Sequence, residues 1–400
     1  MVEIETLKQS HLKRNIIIGV VAVLIISAIV LNFTRAKYRV TQSIPLVNGT
    51  INYSLPDLNI VGLYINGVEA EELDSSKKYT LDTAQSTCTY KDGSVINNLT
   101  LNYDNDTKTF MIAPYTTKGT KCALYFKVVT IPIVDAIEKN YTTSQNMFAY
   151  DDYNNLRYIG ANPNNYVLFN NELWRIIGIF SEDTHGISGK KLVKLVRNEP
   201  LGYLHWDSAS IYNWPTASLQ TTLNGDYLNG NGNYVSTGIK SEVARSMIET
   251  VTWKLGGSST FKDVTASMFY KRERGTTVYS GYSTTWNGKV ALIYPSDYGY
   301  ATSGGNITNR ITCLSTALNN WESYSDCYNN NWLYNSNIFY WTLTPLSLYP
   351  SMMFSVNSSG HVSNGGGGTN SVRPSLYLKS SVSITGGDGS SSNPYTLELN

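Results

Sequence analysis

The chain has 400 residues, a formal net charge of +1 and only 15% charged residues. This near-neutral balance gives no electrostatic case for binding nucleic acid. A hydrophobic content of 42% is enough for packed cores, and the length suggests two or three domains rather than a disordered chain.

An uncharged apolar segment lies near the start of the chain, at residues 16–33 (IIIGVVAVLIISAIVLNF). As a helix it would span about 27 Å, close to the hydrocarbon thickness of a bilayer. We therefore predict a cytoplasmic tail at 1–14 and a single transmembrane helix at 15–34. A cleaved signal peptide and a buried core helix are the alternatives. The basic residues do not set the orientation, because equal numbers flank the segment: Lys8, Lys13 and Arg14 before it, and Arg35, Lys37 and Arg39 after it.

Residues 40–130 have the pattern of a small all-β sandwich. The apolar segment 58–65 ends at Asn66-Gly67, a strong hairpin signal, and short alternating segments follow at 99–103, 110–112 and 122–126. A bridge between Cys88 and Cys122 would staple this module.

Residues 131–149 are predicted to be a connector with a short helix at 134–139, and residues 150–400 an α+β domain. Strands are predicted on both sides of a turn at Asn170-Asn171, and at 191–196, 290–294, 341–344, 353–356 and 372–378. Helices are predicted at 216–228 and from an N-cap at Ser241 to Trp253, and a glycine loop at 365–368.

The four cysteines are predicted to form two local disulfides, one in each half of the chain after the apolar segment. None lies in a CxxC motif or beside histidine at metal-ligand spacing, so no metal site and no cofactor is predicted. Disulfides persist in oxidising compartments, which places the bulk of the chain outside the cell as a single-pass membrane protein. Four reduced, buried thiols are the alternative. The residues concerned are Cys88, Cys122, Cys313 and Cys327.

Several strings in the second half resemble a bacterial domain of unknown function. They are YVLFNNELWRIIGIF at 166–180, PSDYGY at 295–300, WTL at 341–343, Gly360 and VRPSL at 372–376. That domain occurs in surface proteins of low-GC gut bacteria and mollicutes and is similar to the C-type-lectin-like fold of the formylglycine-generating enzymes. The resemblance implies a C-type-lectin-like domain over 150–400. Residues 79–126 resemble a small module that often precedes such domains.

The chain differs from sugar-binding lectins and from formylglycine-generating enzymes in the motifs that carry their chemistry. The calcium-binding Glu-Pro-Asn, Gln-Pro-Asp and Trp-Asn-Asp strings of sugar-binding lectins are absent from the sequence. Cys313 and Cys327 could imitate the copper-handling pair of the enzymes, but their Asn- and Tyr-rich surroundings favour a structural bridge.

No residue group in the sequence predicts catalysis, and the chain is not expected to be an enzyme. His205 and Asp207 are close in sequence, but adjacency does not supply a nucleophile, and no G-x-S-x-G motif is present. Asp151-Asp152 is predicted to be a solvated turn rather than half of a glycosidase pair. His185 is likewise predicted to be solvated.

The predicted contact surface is an aromatic region between Cys313 and Tyr349. It combines aromatic side chains with Asn and Ser, as recognition surfaces do; packing of the same rings over the sheet is the alternative. The chain is thus expected to be a membrane-anchored extracellular module that binds a protein or a glycan. An exported enzyme of the formylglycine-generating type and a structural envelope protein are the other hypotheses. The predicted ligand-binding residues are Trp321, Tyr324, Tyr328, Trp332 and Tyr334.

Overall fold

The computed structural model of the protein describes residues 18, 42–45, 58–75, 77–114 and 116–399. The chain divides into two compact units, Met1–Val129 and Thr130–Asn400. They are called the N-terminal unit and the C-terminal unit below. Each has its own cluster of buried apolar side chains.

The fold class predicted from the sequence is wrong. That prediction was a transmembrane helix, a small all-β sandwich and an α+β lectin-like domain. The structure is instead mostly strands with some helices, at 34% strand and 22% helix. Within the described ranges, no helix combines the length and apolar character that crossing a membrane requires. The predicted tail at 1–14 and helix at 15–34 lie outside the described residues, except for Ile18.

The N-terminal unit consists of two small sheets. One has the strand order β1-β7-β6, and the other β3-β2-β8-β4 with β5 also on β8. Only the β2–β8 pair among them is parallel. The strands are β1 (Gln42–Pro45), β2 (Leu58–Ile65), β3 (Val68–Glu69), β4 (Tyr79–Leu81), β5 (Thr87–Thr89), β6 (Thr100–Asp104), β7 (Thr109–Ala113) and β8 (Thr120–Val128).

Alternation along β8 explains how the two sheets share one core. Its side chains point alternately to opposite faces, so Leu124 and Phe126 are buried while their neighbours are not. Phe110 and Ile112 reach the same core from β7. The hairpin predicted at Asn66-Gly67 is confirmed, since φ is +49° and +83° at these positions and β2 pairs with β3.

The C-terminal unit contains the remaining strands. They are β9 (Ile131–Pro132), β10 (Phe148–Tyr150), β11 (Leu156–Tyr158), β12 (Tyr166–Phe169), β13 (Glu172–Phe180), β14 (Leu192–Arg197), β15 (Tyr203–His205), β16 (Val251–Lys254), β17 (Thr285–Gly288), β18 (Val290–Ala291), β19 (Tyr340–Pro345), β20 (Met353–Val356), β21 (Val362–Gly365), β22 (Thr369–Ser371), β23 (Ser375–Tyr377), β24 (Val382–Gly386) and β25 (Tyr395–Leu399).

The helices of this unit are short. They are α1 (Ile133–Thr143), α2 (Glu182–His185), α3 (Ser218–Thr222), α4 (Glu242–Met247), α5 (Ala266–Glu273), α6 (Pro295–Tyr300), α7 (Arg310–Ser315) and α8 (Ser325–Asn329). Helix α3 continues as a π-helical turn over Leu223–Tyr227, and 3₁₀ turns cover Gln145–Met147, Trp214–Thr216, Gly232–Tyr234 and Leu318–Ser323.

Two sheets and one strand pair organise the C-terminal unit. The large sheet has the order β18-β23-β14-β13-β12-β25-β24-β9, with β11 also on β13 and β10 on β11. The second sheet has the order β15-β22-β19-β20-β21, and β16 pairs with β17. The segment predicted as a connector lies in this unit, where β9 pairs with β24.

A bulge in β13 depends on a glycine. The register between β13 and β14 shifts between Ile176 and Gly178. A Cβ atom at position 178 would lie 2.3 Å from the carbonyl oxygen of Leu156 on β11. Only glycine allows β11 to pair this closely with β13.

The helix predicted from Ser241 to Trp253 is correct only at its start. The Ser241 hydroxyl accepts the amide hydrogen of Ala244 at 3.2 Å, which confirms the N-cap. The helix ends at Met247, and residues 251–254 form β16 instead. The β-branched Val251 and Thr252 favour an extended backbone, and pairing with β17 stabilises it.

Both predicted disulfides are present. Cys88 bonds to Cys122 across β5 and β8, and Cys313 on α7 bonds to Cys327 on α8. All four sulfur atoms are therefore structural.

Candidate functional site

The two tryptophans of the sequence-predicted contact surface lie inside the core. Trp321 is 0% exposed and Trp332 6% exposed. Their ring N–H groups donate to backbone oxygens, Trp321 to Cys313 at 3.2 Å and Trp332 to Tyr158 at 2.9 Å. Burial with a satisfied ring N–H leaves these rings no face for a partner.

The three tyrosines of that prediction remain nearer the surface. Tyr328 and Tyr334 are half-buried and pack together with ring centroids 4.9 Å apart. The Tyr334 hydroxyl donates to the carbonyl oxygen of Ser358 at 2.9 Å. Tyr324 is 37% exposed. Their role as a contact surface stays a prediction, and it rests on fewer rings than the sequence suggested.

Asp151 is buried, so the prediction of a solvated Asp151-Asp152 turn is wrong for its first residue. Its carboxylate accepts from the Arg157 guanidinium at 2.8 Å, and Arg157 also donates to Asp297 at 2.7 Å. The Lys194 ammonium contacts the other oxygen of Asp297 at 2.6 Å. These four side chains are called the buried ion network.

Burial and the nearby opposite charges together set the pKa values in this network. Burial opposes the charge of Asp297, but Lys194 and Arg157 lower its pKa to about 2. Burial lowers the pKa of Lys194 to about 8 against the attraction of Asp297. The Lys194 ammonium also lies 4.2 Å from the ring centroid of Tyr294. Each charged side chain in the network pairs with one of opposite sign. The network is therefore best explained as a structural one that holds β14, β11 and α6 together.

The structure shows the surroundings of two of the four histidines, His185 and His205. His185 is 0% exposed, which corrects the prediction that it is solvated. Its ring accepts the amide hydrogen of Ile187 at 3.1 Å, and Nε2 lies 3.2 Å from the Phe180 carbonyl oxygen. His205 is exposed on β15, whereas the Asp207 carboxylate is turned inward. The Asp207 carboxylate accepts the backbone amide hydrogens of Ile211 at 3.0 Å and Ser218 at 2.8 Å.

The loop that contains Asp207 lies beside three other segments of the C-terminal unit. Four segments meet at one end of the second sheet: residues 207–213, 276–284, 346–352 and 364–368. They are called the tyrosine loops, because Tyr212, Tyr279, Tyr282 and Tyr349 lie on them.

Hydrogen bonds between segments hold the tyrosine loops together. The Tyr212 hydroxyl accepts the amide hydrogen of Gly367 at 2.7 Å, and the Tyr212 amide donates to Pro350 at 2.9 Å. The Tyr282 hydroxyl donates to the same Pro350 oxygen at 3.1 Å. The Ser283 amide donates to the side-chain oxygen of Asn213 at 3.1 Å. These hydrogen bonds connect the four segments into one group.

The glycine loop is required for this convergence. A Cβ atom at Gly366 would lie 1.8 Å from the Ser351 carbonyl oxygen. The close approach of these two backbones brings the Gly367 amide to Tyr212. At Gly368 a Cβ atom would meet nothing within 4 Å.

Aromatic side chains line a narrow cleft between the tyrosine loops. Its volume is about 10 Å³, room for about one water molecule. The lining residues are Trp206, Tyr212, Asn213, Trp214, Leu255, Val278, Tyr282, Ser283, Leu343 and Pro345. Trp206, Tyr212 and Trp214 are buried, so they support the loops from beneath, and a ligand would contact the exposed side chains of the loops instead. The rings of Trp206 and Trp214 are 5.0 Å apart, and those of Trp206 and Tyr212 are 5.3 Å apart.

The tyrosine loops also expose large apolar side chains to solvent. Ile211 is 53% exposed, Leu348 58% and Tyr349 50%. The rings of Tyr279 and Tyr282 lie 5.2 Å apart beside them. Tyrosine, serine, asparagine and glycine in convergent loops are the composition of recognition surfaces. The string TTVYSGYST at 276–284 carries this signal in the sequence, although the contact surface predicted from the sequence lies elsewhere.

A wider groove lies at the turn between β12 and β13. Its two halves have volumes of about 220 Å³ and 350 Å³ and share Asn170, Asn171 and Ser241. Asn170 bridges Gly238 and Ser241 by hydrogen bonds, and Glu172 is paired with Arg197 at 2.8 Å. The tyrosine loops are the stronger candidate despite the smaller cleft, because no residue that lines this groove is an exposed aromatic ring, and Asn170, Ser241 and Glu172 already have partners.

In the part of the chain that the structure describes, no group of three or more His, Cys, Asp or Glu side chains is placed to hold a metal ion. Comparisons of the chain with protein-family models, curated proteins and solved structures find no match.

Proposed function

We propose that this chain is an exported protein that binds a ligand through the tyrosine loops. The observation that carries the proposal is the convergence of four hydrogen-bonded segments that together present the exposed ring of Tyr349 and the partly exposed rings of Tyr279 and Tyr282. Loops that hydrogen bonds already hold in one conformation lose little conformational entropy when a ligand binds.

The two disulfides support export to an oxidising compartment. Both bonds join buried sulfur atoms, as stable structural disulfides do. The resemblance of the C-terminal strings to domains of bacterial surface proteins agrees with this location.

The proposal is tested by screening the purified full-length chain against arrays of glycans and of surface proteins. We expect saturable binding, and a loss of at least tenfold in affinity for Tyr349→Ala, because truncation of an aromatic anchor at a recognition surface typically costs about 2 kcal/mol or more. The matched controls are Tyr324→Ala, on the surface predicted from the sequence, and Tyr90→Ala in the N-terminal unit. These tyrosines are 37% and 41% exposed.

The three variants separate the alternatives. A loss of binding with Tyr324→Ala alone would assign the site to the sequence-predicted aromatic region. No saturable binding on either array would refute a binding function and leave the structural-envelope hypothesis.

A further inference from the structure

We propose that the ligand of the tyrosine loops is an uncharged polysaccharide. This inference rests on the proposed function and names the chemical class that the loops recognise. It is argued from the charges, the exposed rings and the exposed backbone of these loops.

The tyrosine loops present almost no charge. Across residues 207–213, 276–284, 346–352 and 364–368, the one charged side chain is Asp207. It is 5% exposed, and its two oxygens each accept a backbone amide, from Ile211 and from Ser218. A polyanion such as a nucleic acid or a sulfated glycan would find no cation on these segments to pair with.

The exposed rings suit the apolar face of a sugar. A pyranose ring carries C–H groups on its faces and hydroxyls around its edge, so it packs flat against an aromatic ring while its hydroxyls bond sideways. Tyr349 is half exposed, and Tyr279 is partly exposed beside Tyr282. Rings on separate loops offer stacking positions to more than one sugar of a chain.

The polar groups around these rings are uncharged and suit hydroxyls. Ser280 and Ser283 are exposed on the loop that carries Tyr279. Gly366, Gly367 and Gly368 are exposed on the facing loop, and without side chains they do not screen the backbone of this loop from a ligand. The Gly367 amide itself is already bonded to Tyr212. Hydroxyls both donate and accept hydrogen bonds, so they can use both kinds of backbone group.

A protein partner fits these loops less well. Protein interfaces usually add a polar rim and arginine anchors, and charged groups across the interface set orientation and specificity. The tyrosine loops offer no exposed charged side chain for that purpose. The absence of charge therefore favours a sugar chain over a protein.

The experiment is affinity electrophoresis of the full-length chain in gels that contain soluble glucan, mannan, galactomannan or xylan, with heparin and hyaluronan as charged probes. Binding is quantified by titration calorimetry at 50 mM and 500 mM NaCl. We expect retardation by at least one neutral polysaccharide, a dissociation constant that changes less than twofold with salt, and at least tenfold weaker binding for Tyr349→Ala and Tyr279→Ala. Tyr90→Ala should bind like the unchanged chain, and circular dichroism checks that every variant is folded.

The outcomes distinguish this inference from the proposed function. No retardation by any neutral polysaccharide, together with binding to a protein on the array that Tyr349→Ala abolishes, would overturn the polysaccharide and keep the binding function. Preference for heparin or hyaluronan with strong salt dependence would also overturn it. Absence of binding to every polysaccharide and every arrayed protein would refute both.

Discussion

At the scale of single residues, burial decides the role of the charged and aromatic side chains. Asp151, Lys194 and Asp297 have side chains that are 0% exposed, and they form ion pairs at 2.6–2.8 Å with one another or with Arg157. Such charges are stable only as a complete set, because removal of one partner leaves another charge without solvent or counterion.

Replacing Lys194 by methionine is expected to lower the free energy of unfolding by about 3–5 kcal/mol, because Asp297 loses one of its two cations inside the core. Lys191→Met is the matched control. Lys191 pairs with Glu138 at 2.7 Å, but its side chain is 61% exposed, so we expect a loss below about 1 kcal/mol. Urea unfolding measures both variants, and equal losses would contradict the assignment of the network.

Acid should destabilise the fold through Asp297. Its pKa is about 2 in the fold, mainly because Lys194 and Arg157 outweigh burial, whereas an unfolded Asp has a pKa of about 3.9. A depressed carboxyl pKa stabilises the fold above the unfolded value, and this contribution, on the order of 2 kcal/mol, is lost as pH falls from 4 towards 2. Urea unfolding at pH 7, 4 and 3 should show a smaller acid loss in Lys194→Met than in the unchanged chain. The same acid loss in both proteins would show that Lys194 does not depress this pKa.

At the scale of elements, the tyrosine loops depend on contacts between segments that are far apart in sequence. Tyr212 reaches Gly367, and Tyr282 reaches Pro350, across the end of the second sheet. The glycine at 366 determines how closely the last two segments approach.

Gly366→Ala is expected to separate the glycine loop from Ser351, because the new Cβ atom would overlap a backbone oxygen. The cost is about 1–3 kcal/mol, as for other overpacked sites. We also expect faster hydrogen exchange of the Gly367 amide and weaker ligand binding. Gly368→Ala is the matched control, because a Cβ atom there meets open space. Indistinguishable melting temperatures and exchange rates would contradict this account of the loop.

At the scale of the whole molecule, two units with separate apolar clusters each carry one disulfide. The Cys88–Cys122 bond spans 34 residues and the Cys313–Cys327 bond spans 14. Loop-closure entropy predicts a stabilisation of about 4 kcal/mol for the first bond and about 3 kcal/mol for the second.

Replacing both cysteines of one pair by serine should therefore destabilise the unit that contains the pair. Hydrogen exchange of core strands, β8 in the N-terminal unit and β14 in the C-terminal unit, measures the two effects separately. Alkylation of the native chain without reductant should label none of the four cysteines. Labelling of all four in protein taken from its own cells would contradict export to an oxidising compartment.

Features that depend on neighbouring residues or on composition could be predicted from the sequence. The Asn66-Gly67 hairpin, the N-cap at Ser241 and the disulfide pairing were predicted correctly, because turn chemistry, capping and cysteine spacing act locally. Tertiary structure alone decided that the predicted helix ends at Met247, that Asp151 and Trp321 are buried, and that four distant segments form one cleft. Burial and convergence depend on long-range packing, and a residue's own neighbours in the chain do not specify which distant strand or loop will cover it.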